Sequence, residues 1–331
     1  MKTKTKITDV AKHAGVSIST VSHVINKTRF VSDQTRLKVE KAIRELNYAP
    51  DMAAQSLKSG KRRMIGFLAP DLSNRFFSLL LEEIEDTLWT SGYSLVVANT
   101  RENYERELNG LQLLTSGITD GIIMASTFRY YKDFAACIPQ DFPVVQIDRF
   151  PLGCTGDCVR VSTYSAIHDS IMDLIREGHR RIGYIASIER LSSTEERLNG
   201  YRNALEQAGI ALDPALIKQG DARSRSGYEC MKELVEEQVK AVFISNSVMA
   251  VGAISYLDNR GLKVGKDMEI ISIRDYEWHR FELENVRTVE QPGREMARLA
   301  AQQIIRRIED PQAAPSEIIL PATYSKRYEH D

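Results

Sequence analysis

From Met64 onward the chain repeats one pattern: a short, continuously apolar run, then a longer stretch with helical periodicity. The runs read MIGFLAP, YSLVVAN, DGIIMAS, PVVQIDR, RIGYIAS, AVFISNS and EIISIRD, and amphipathic segments such as 76–91 and 195–208 lie between several of them. A strand with one face in water alternates apolar and polar residues, whereas a continuously apolar strand needs cover on both faces. Strands of that kind joined by helices form parallel sheets with helices on each side. This many strand–helix units predict an α/β core of two doubly wound parallel-sheet lobes with a crevice between them. Ligands in such folds bind at the carboxyl ends of the strands. A length of 331 residues leaves room for a further small domain.

No catalytic signature accompanies that pattern. The chain has no G-x-G-x-x-G loop, no G-x-x-x-x-G-K-[ST] phosphate loop and no G-x-S-x-G elbow. No His/Glu cluster has metal-ligand spacing, and His168, His179 and His279 read as surface or packing residues. Among the cysteines only Cys154 and Cys158 lie close together, without a paired His cluster. They read as reduced thiols of a cytoplasmic protein rather than as zinc ligands. The body is therefore expected to bind a small molecule rather than transform one, with no cofactor and no metal. The basic start MKTKTKITDV has no apolar run behind it, and no stretch approaches the ~20 apolar residues of a membrane span. Both features argue against a membrane protein and against a secreted solute-binding protein.

The net charge of −1 divides sharply along the chain. Residues 1–63 hold 14 Lys+Arg against 5 Asp+Glu, a net of +9; the remainder holds 30 against 40, a net of −10. A basic head on an acidic body points to a polyanionic partner. The head is also patterned as helix. Thr8 is placed to cap a first helix with Asp9 in its first turn, and Gly15 ends it. Ser17 or Ser19 caps a second helix running to about Asn26, with Val21, Val24 and Ile25 inside. Ser32 and Asp33 open a third, whose expected buried stripe is Leu37, Val39, Ala42, Ile43 and Leu46. Helix, short glycine turn, helix and supporting helix make a helix-turn-helix domain, here over 1–49. The second helix keeps its outer face short and polar, which lets it approach base edges in the major groove. Ile18, Ser19 and His23 are the expected base readers. Thr8, Ser17, Thr20, Ser22, Asn26, Lys27, Arg29 and Tyr48 complete the expected DNA-binding set in this domain, with the cations on phosphates.

After Pro50 comes DMAAQSLKSGKRR, in which Asp51 can cap a helix aligning Ala53, Ala54 and Leu57. At about eight residues it is shorter than the ~12–15 at which an isolated helix becomes even marginal, so it should order only on docking.

The runs ITDVAKHAGVSISTVSHVIN and VSDQTRLKVEKAIRELNYAP, with the linker behind them, resemble the headpiece of the lactose-repressor (LacI) family over residues 7–58. VSHVINKTRFV is especially similar to the purine and ribose repressors of that family. The resemblance implies that residues 50–63 form a hinge helix entering the operator's minor groove, with Ala54, Leu57 and Lys58 on DNA and Leu57 wedged into the central base step. Gln55 stands where many members have Arg. In the body, DLSNRFFSLLLEEIE, GHRRIGYIA, ERLNGYRNAL, SNSVMAVGAI and TVEQP are similar to the family's periplasmic-binding-protein-like effector core. That implies a core over 64–331 with lobe one at 64–162 and 291–321, lobe two at 163–290 and 322–331, and crossings near Ser162, Gln291 and Pro321.

The resemblance also implies a crevice set: Phe76, Phe77, Asp148, Arg149, Ser162, Arg197, Asn246 and Arg274. The aromatic faces suit a sugar ring or a base. Three positions that the family fills with acids or an Asp-Asn pair read Ser162-Thr163, Ser247 and Arg274 here. Carboxylates accept from sugar hydroxyls but repel anions, whereas Arg offers a planar fork to them. The expected effector is therefore a sugar acid of the ketodeoxygluconate or uronate type, or a sugar phosphate. Alternatively Arg274 pairs with Asp275, Asp148 or a nearby Glu and the effector is a neutral sugar. A purine corepressor is a further alternative, for which the crevice residues give no strong reason.

The expected function is a sequence-specific regulator, a repressor of carbohydrate metabolism genes. Two headpieces of a homodimer would read palindromic double-stranded operator DNA. The chain ends at YSKRYEHD without a heptad tail, which favours a dimer over a tetramer. The rival, a sugar-metabolising enzyme with a fused DNA-binding head, lacks a catalytic constellation.

Overall fold

The computed structural model describes residues 5–26, 29–48, 61–274 and 285–326. Lys27 and the linker expected to form the hinge helix, with Ala54, Leu57 and Lys58, lie outside them, as does Asp275. The chain divides into two compact units, Met1–Arg62 and Arg63–Asp331.

The first unit holds α1 (Ile7–Ala14), α2 (Ile18–Asn26) and α3 (Asp33–Glu45). The cap of α1 differs from the sequence expectation. Lys6 stands at the cap position and its N–H donates to the Asp9 carboxylate at 2.8 Å, while Thr8 already lies inside the first turn. A carboxylate at the third helical position folds back onto the cap N–H, so Asp9 does the work assigned to Thr8. Gly15 adopts φ 67°, ψ 35°, which turns the chain at no Cβ cost. Ser17 caps α2 by accepting from the Thr20 N–H at 3.1 Å. Val10, Ala11, Val21, Val39 and Ala42 form the buried centre. Leu37 is not part of it and is 62% exposed. Val39, Ala42, Ile43 and Leu46 follow the helical spacing, whereas Leu37 precedes Val39 by two residues and so faces the opposite side.

The second unit is built on two six-stranded sheets. The first contains β1 (Met64–Ala69), β2 (Ser94–Asn99), β3 (Gly121–Met124), β4 (Val144–Ile147), β5 (Asp157–Ser162) and a late strand, Glu317–Pro321. Its spatial order is late strand, β5, β4, β3, β1, β2, all parallel. One face carries α4 (Arg75–Thr90) and a helix at Gly293–Glu309; the other carries α5 (Tyr104–Thr115) and α6 (Tyr131–Ala135). The second sheet repeats the plan. It contains β6 (Ile182–Ala186), β7 (Ile217–Gln219), β8 (Ala241–Ile244), β9 (Glu269–Arg274) and β10 (Val286–Glu290) in the order β10, β9, β8, β6, β7. Helices α7 (Tyr164–Arg176) and α8 (Ser192–Gln207) cover one face, α9 (Ser224–Glu236) and α10 (Ser247–Asn259) the other. The late helix is α11, the late strand of the first sheet is β11, and β12 (Thr323–Ser325) pairs antiparallel with β10. Side chains on both faces of β1, β3, β6 and β8 are buried, which is why those strands are continuously apolar.

The chain passes between the sheets from Ser162 to Tyr164, from Glu290 to Gly293 and from Pro321 to Thr323. Two of these crossings are tied together, because the Ala322 N–H donates to the Ser162 carbonyl at 2.9 Å. The three crossings are the chain's covalent links between the two lobes.

Helices α9 and α10 cross at two glycines. A Cβ on Gly252 would stand 1.7 Å from the Ser224 carbonyl oxygen, and one on Gly227 would stand 1.9 Å from that of Met249. Backbone cannot yield as a flexible side chain does. Gly252→Ala is therefore expected to destabilise the core by roughly 3 kcal/mol, read as a lower urea midpoint at unchanged slope. No helix among the described residues is long and apolar enough to cross a membrane.

Candidate nucleic-acid interface and effector cleft

The outer face of α2 is a hydroxyl cluster. Ser17 Oγ lies 2.7 Å from Ser19 Oγ and 2.8 Å from Thr20 Oγ1, so the first turn is ordered before anything docks. Ile18 and Ser19 are exposed; Ser22 and His23 are half-buried one turn on. Asn26 Nδ2 donates to Ser22 Oγ at 3.2 Å. A shallow concavity beside the helix is lined by Val16, Ser17, Thr20, His23, Arg29, Phe30, Val31 and Thr35. The structure thus groups Ser17, Thr20, His23 and Arg29, with Ile18, Ser19, Ser22 and Asn26 on the same helix. Thr8 sits apart on α1. Tyr48 packs half-buried against the headpiece core. Phe30, 90% exposed, went unsuspected in the sequence; the signal was an aromatic residue in a polar loop between two cationic positions and a Val.

In the core, a crevice opens between the lobes at the carboxyl ends of their strands, the place where such folds bind small molecules. Lobe one contributes Asn74, Phe76 and Phe77 after β1, Glu102 after β2, and Asp148 and Arg149 after β4. Lobe two contributes Ser187, Ile188, Leu191, Ser193, Thr194, Arg197, Asn246 and Ile273, and Gln291 lies on a crossing. Asn74 caps α4 through the Phe76 N–H and so fixes where both aromatic rings sit. Those rings meet edge to face, with centroids 5.3 Å apart, and the Arg149 guanidinium lies 5.9 Å above Phe77. The Phe77 face is thus already covered by a cation and is not an open slot for a flat ring.

Two buried guanidiniums dominate the chemistry. Arg149 is 4% exposed and donates to Glu102 at 2.6 Å. Arg197 is 7% exposed and donates to the Ser245 carbonyl at 2.7 Å and to Gln291 Oε1 at 3.3 Å. In each, the buried Nε–H makes no hydrogen bond. A buried donor left unpaired costs roughly 1–3 kcal/mol, which an acceptor on a ligand would recover. Burial pushes the Asp148 carboxyl up toward its neutral form, with Arg197 and then Arg149 pulling the other way. Left-handed backbone at Arg101 (φ 54°), Glu102 (φ 56°) and Asp148 (φ 66°) marks the same rim, strain of a kind that concentrates at functional sites.

Two expected crevice residues are not in the lining. Arg274 pairs with Glu290 at 2.6 Å, because the parallel register of β9 and β10 sets them opposite each other. The observation that most favoured an anionic effector in the sequence therefore falls away, and the alternative that Arg274 pairs with a nearby Glu is what the structure contains. Ser162 donates to Glu196 Oε1 at 3.1 Å, and the same oxygen accepts from the Thr163 N–H at 2.6 Å and the Tyr164 N–H at 3.1 Å. Glu196 thereby serves the start of α7, where Thr163 makes no side-chain cap. Asn246 lines the crevice, but its Oδ1 caps α10 by accepting from the Met249 N–H. Glu102 was missed; the strand-end rule, applied to YSLVVAN, would have pointed to it. No group of three His, Cys, Asp or Glu among the described residues is arranged to hold a metal ion.

Comparison with known proteins agrees with this geometry. Residues 6–51 match the family described as bacterial regulatory proteins, lacI family, and residues 171–328 match the periplasmic binding protein-like domain. The HTH-type transcriptional repressor PurR of Histophilus somni (strain 129Pt) is 34% identical over 307 residues, 92% of each chain. The lac repressor dimer bound to operator and the anti-inducer ONPF superposes with a TM-score of 0.85 at 26% identity, over 98% of both chains. The transcriptional regulator CelR–cellobiose complex gives 0.71 at 27% identity, over 98% of this chain and 99% of that one. The helix-turn-helix unit, the two-lobed core and these matches together show a DNA-binding transcriptional regulator rather than an enzyme, and the chain belongs to the LacI family.

Proposed function

We propose that the protein is a cytoplasmic, homodimeric repressor of carbohydrate metabolism genes whose hold on a palindromic operator is set by a small effector in the interlobe crevice. The observation that carries the effector site is the pair of buried guanidiniums, one from each lobe, each with an unpartnered Nε–H at the crevice. In this reading Ile18, Ser19 and His23 read base edges, and Ser17, Thr20, Arg29 and the α2 amides hold phosphates. Phe76, Phe77, Asp148, Arg149, Arg197 and Asn246 surround the effector. Residues 50–63 link the two functions, ordering on DNA when the lobes permit it. The homodimer is supported by the likeness to the lac repressor dimer. A purine corepressor is the second reading, favoured by the similarity to PurR over nine-tenths of the chain.

Footprinting on the upstream region of the protein's own operon, with and without sugar acids, sugar phosphates, neutral sugars and purines, tests the proposal. A protected palindrome that appears or vanishes with one of these compounds supports it. Protection indifferent to all of them, or none at low ionic strength, overturns it.

A further inference from the structure

The geometry points to a carboxylate as the chemical group that the crevice recognises, its two oxygens meeting Arg149 from lobe one and Arg197 from lobe two. This rests on the crevice being the effector site and names what that site takes.

Three observations converge. First, among the described lining residues the buried donors without a partner are both guanidinium Nε–H groups. A guanidinium edge presents parallel N–H donors that suit the paired oxygens of a carboxylate or a phosphate. Donors supplied from opposite lobes make the ligand a bridge that is complete only when the lobes are together.

Second, the described lining holds one guanidinium outside its Arg149–Glu102 ion pair. Among the described residues the charged groups of the lining are Glu102, Asp148, Arg149 and Arg197. The Arg149–Glu102 ion pair is self-compensating. That leaves Arg197 facing Asp148, whose buried carboxyl is pushed toward the neutral acid. Among the described residues the hydrogen-bond acceptors of Arg197 are neutral, the Ser245 carbonyl and the Gln291 amide oxygen, so its charge suits an anionic group on the ligand. A phosphate monoester would bring close to two negative charges near neutral pH, where a carboxylate brings one.

Third, among the described residues of the lining no aromatic face is open for a flat base to stack on. Phe76 and Phe77 are the aromatic residues of the lining among the described residues; Phe77 is covered by Arg149 and Phe76 meets it edge to face. The remaining apolar wall is Ile188, Leu191 and Ile273, which offers C–H surface suited to an aliphatic carbon chain or a sugar ring. Ser187, Ser193 and Thr194 supply hydroxyls for the polar groups of such a compound.

Glu102 and Arg149 thereby set specificity from opposite sides. Glu102 holds the guanidinium in place and offsets its charge, so removing the acid should strengthen the crevice's attraction for anions. Shortening Arg149 to Lys keeps the charge and removes the Nε–H.

The test is calorimetric titration of the full-length protein and its variants with D-gluconate, D-glucuronate, ketodeoxygluconate, a hexose phosphate, D-glucose and hypoxanthine. At least one of the three carboxylates is expected to bind and to change operator affinity. Glu102→Gln should tighten that carboxylate about tenfold and Arg149→Lys should weaken it about tenfold. Melting curves check that both variants fold, and either variant alone carries the sign. Binding by none of the three carboxylates, binding led by the hexose phosphate, D-glucose or hypoxanthine, or a carboxylate affinity unmoved by Arg149→Lys overturns the inference. Those outcomes leave the effector site itself standing if the ligand that does bind alters operator affinity. The wider reading fails separately, when no small molecule alters it.

Discussion

Replacing Arg197 with Met is expected to raise the effector concentration needed for a half-maximal change in operator binding about 10³-fold, equivalent to about 4.1 kcal/mol. One side chain performs three tasks. It donates to the Ser245 carbonyl after β8, it donates to Gln291 on a crossing between the lobes, and it lines the crevice with a buried, unpaired Nε–H. Met fills similar volume but leaves the Ser245 carbonyl and the ligand's acceptor unpaired, and it removes the cation that faces Asp148. Lys should recover little, since one ammonium on a flexible stem cannot reach all three acceptors as a planar fork does. The measurement is operator affinity against effector concentration, with a melting curve to show that the variant folds. An unchanged half-response in a folded Arg197→Met protein would remove Arg197 from the effector site.

Operator binding should also fall about 10³-fold, again about 4.1 kcal/mol, between about 50 and about 200 mM salt. The +9 net charge of residues 1–63 against −10 for the rest concentrates the cations where the recognition helix lies. Each phosphate that Lys or Arg neutralises releases condensed counterions, so the log–log slope reports the number of phosphate contacts. About six contacts shared by two headpieces suffice for the stated loss. Neutralising Arg29 should lower the slope by about one per headpiece and weaken all sequences alike, whereas Ser19→Ala should act on some operator positions and leave the slope unchanged. A shallow slope would mean that the basic head does not meet DNA phosphates.

The sequence was most legible where one physical demand governs a whole segment. Continuous apolar runs announced β1, β3, β6 and β8 because strands covered on both faces admit little else. Strands under other constraints escaped. β5 carries Asp157, whose carboxylate accepts from Gln303 at 2.7 Å and from Arg307 at 2.7 Å, together with Arg160, which pairs with Glu317. β7 and β12 are three-residue edge strands, too short to show a pattern. In the headpiece the turn glycine and the Ser17 cap were readable from type and position, while the competition between Thr8 and Asp9 for the cap of α1 was not.

In the crevice, six of the eight expected residues line one cavity, because strand ends bring them there regardless of detail. Arg274 went elsewhere because its neighbour across the sheet is set by strand register, which no local pattern records. Ser162 is engaged by Glu196, whose approach depends on how α8 packs against α7. Glu102 was overlooked because its importance comes from what it holds, the Arg149 guanidinium, rather than from any motif.

The most direct test of the account is a reciprocal titration: operator affinity measured with and without saturating effector, and effector affinity measured with and without operator. Two sites coupled through one conformational equilibrium must change each other's affinity by the same factor, expected at roughly 5- to 150-fold. Equal factors in that range, in either direction, are the predicted result. Operator affinity that does not move when the crevice is filled would contradict the account.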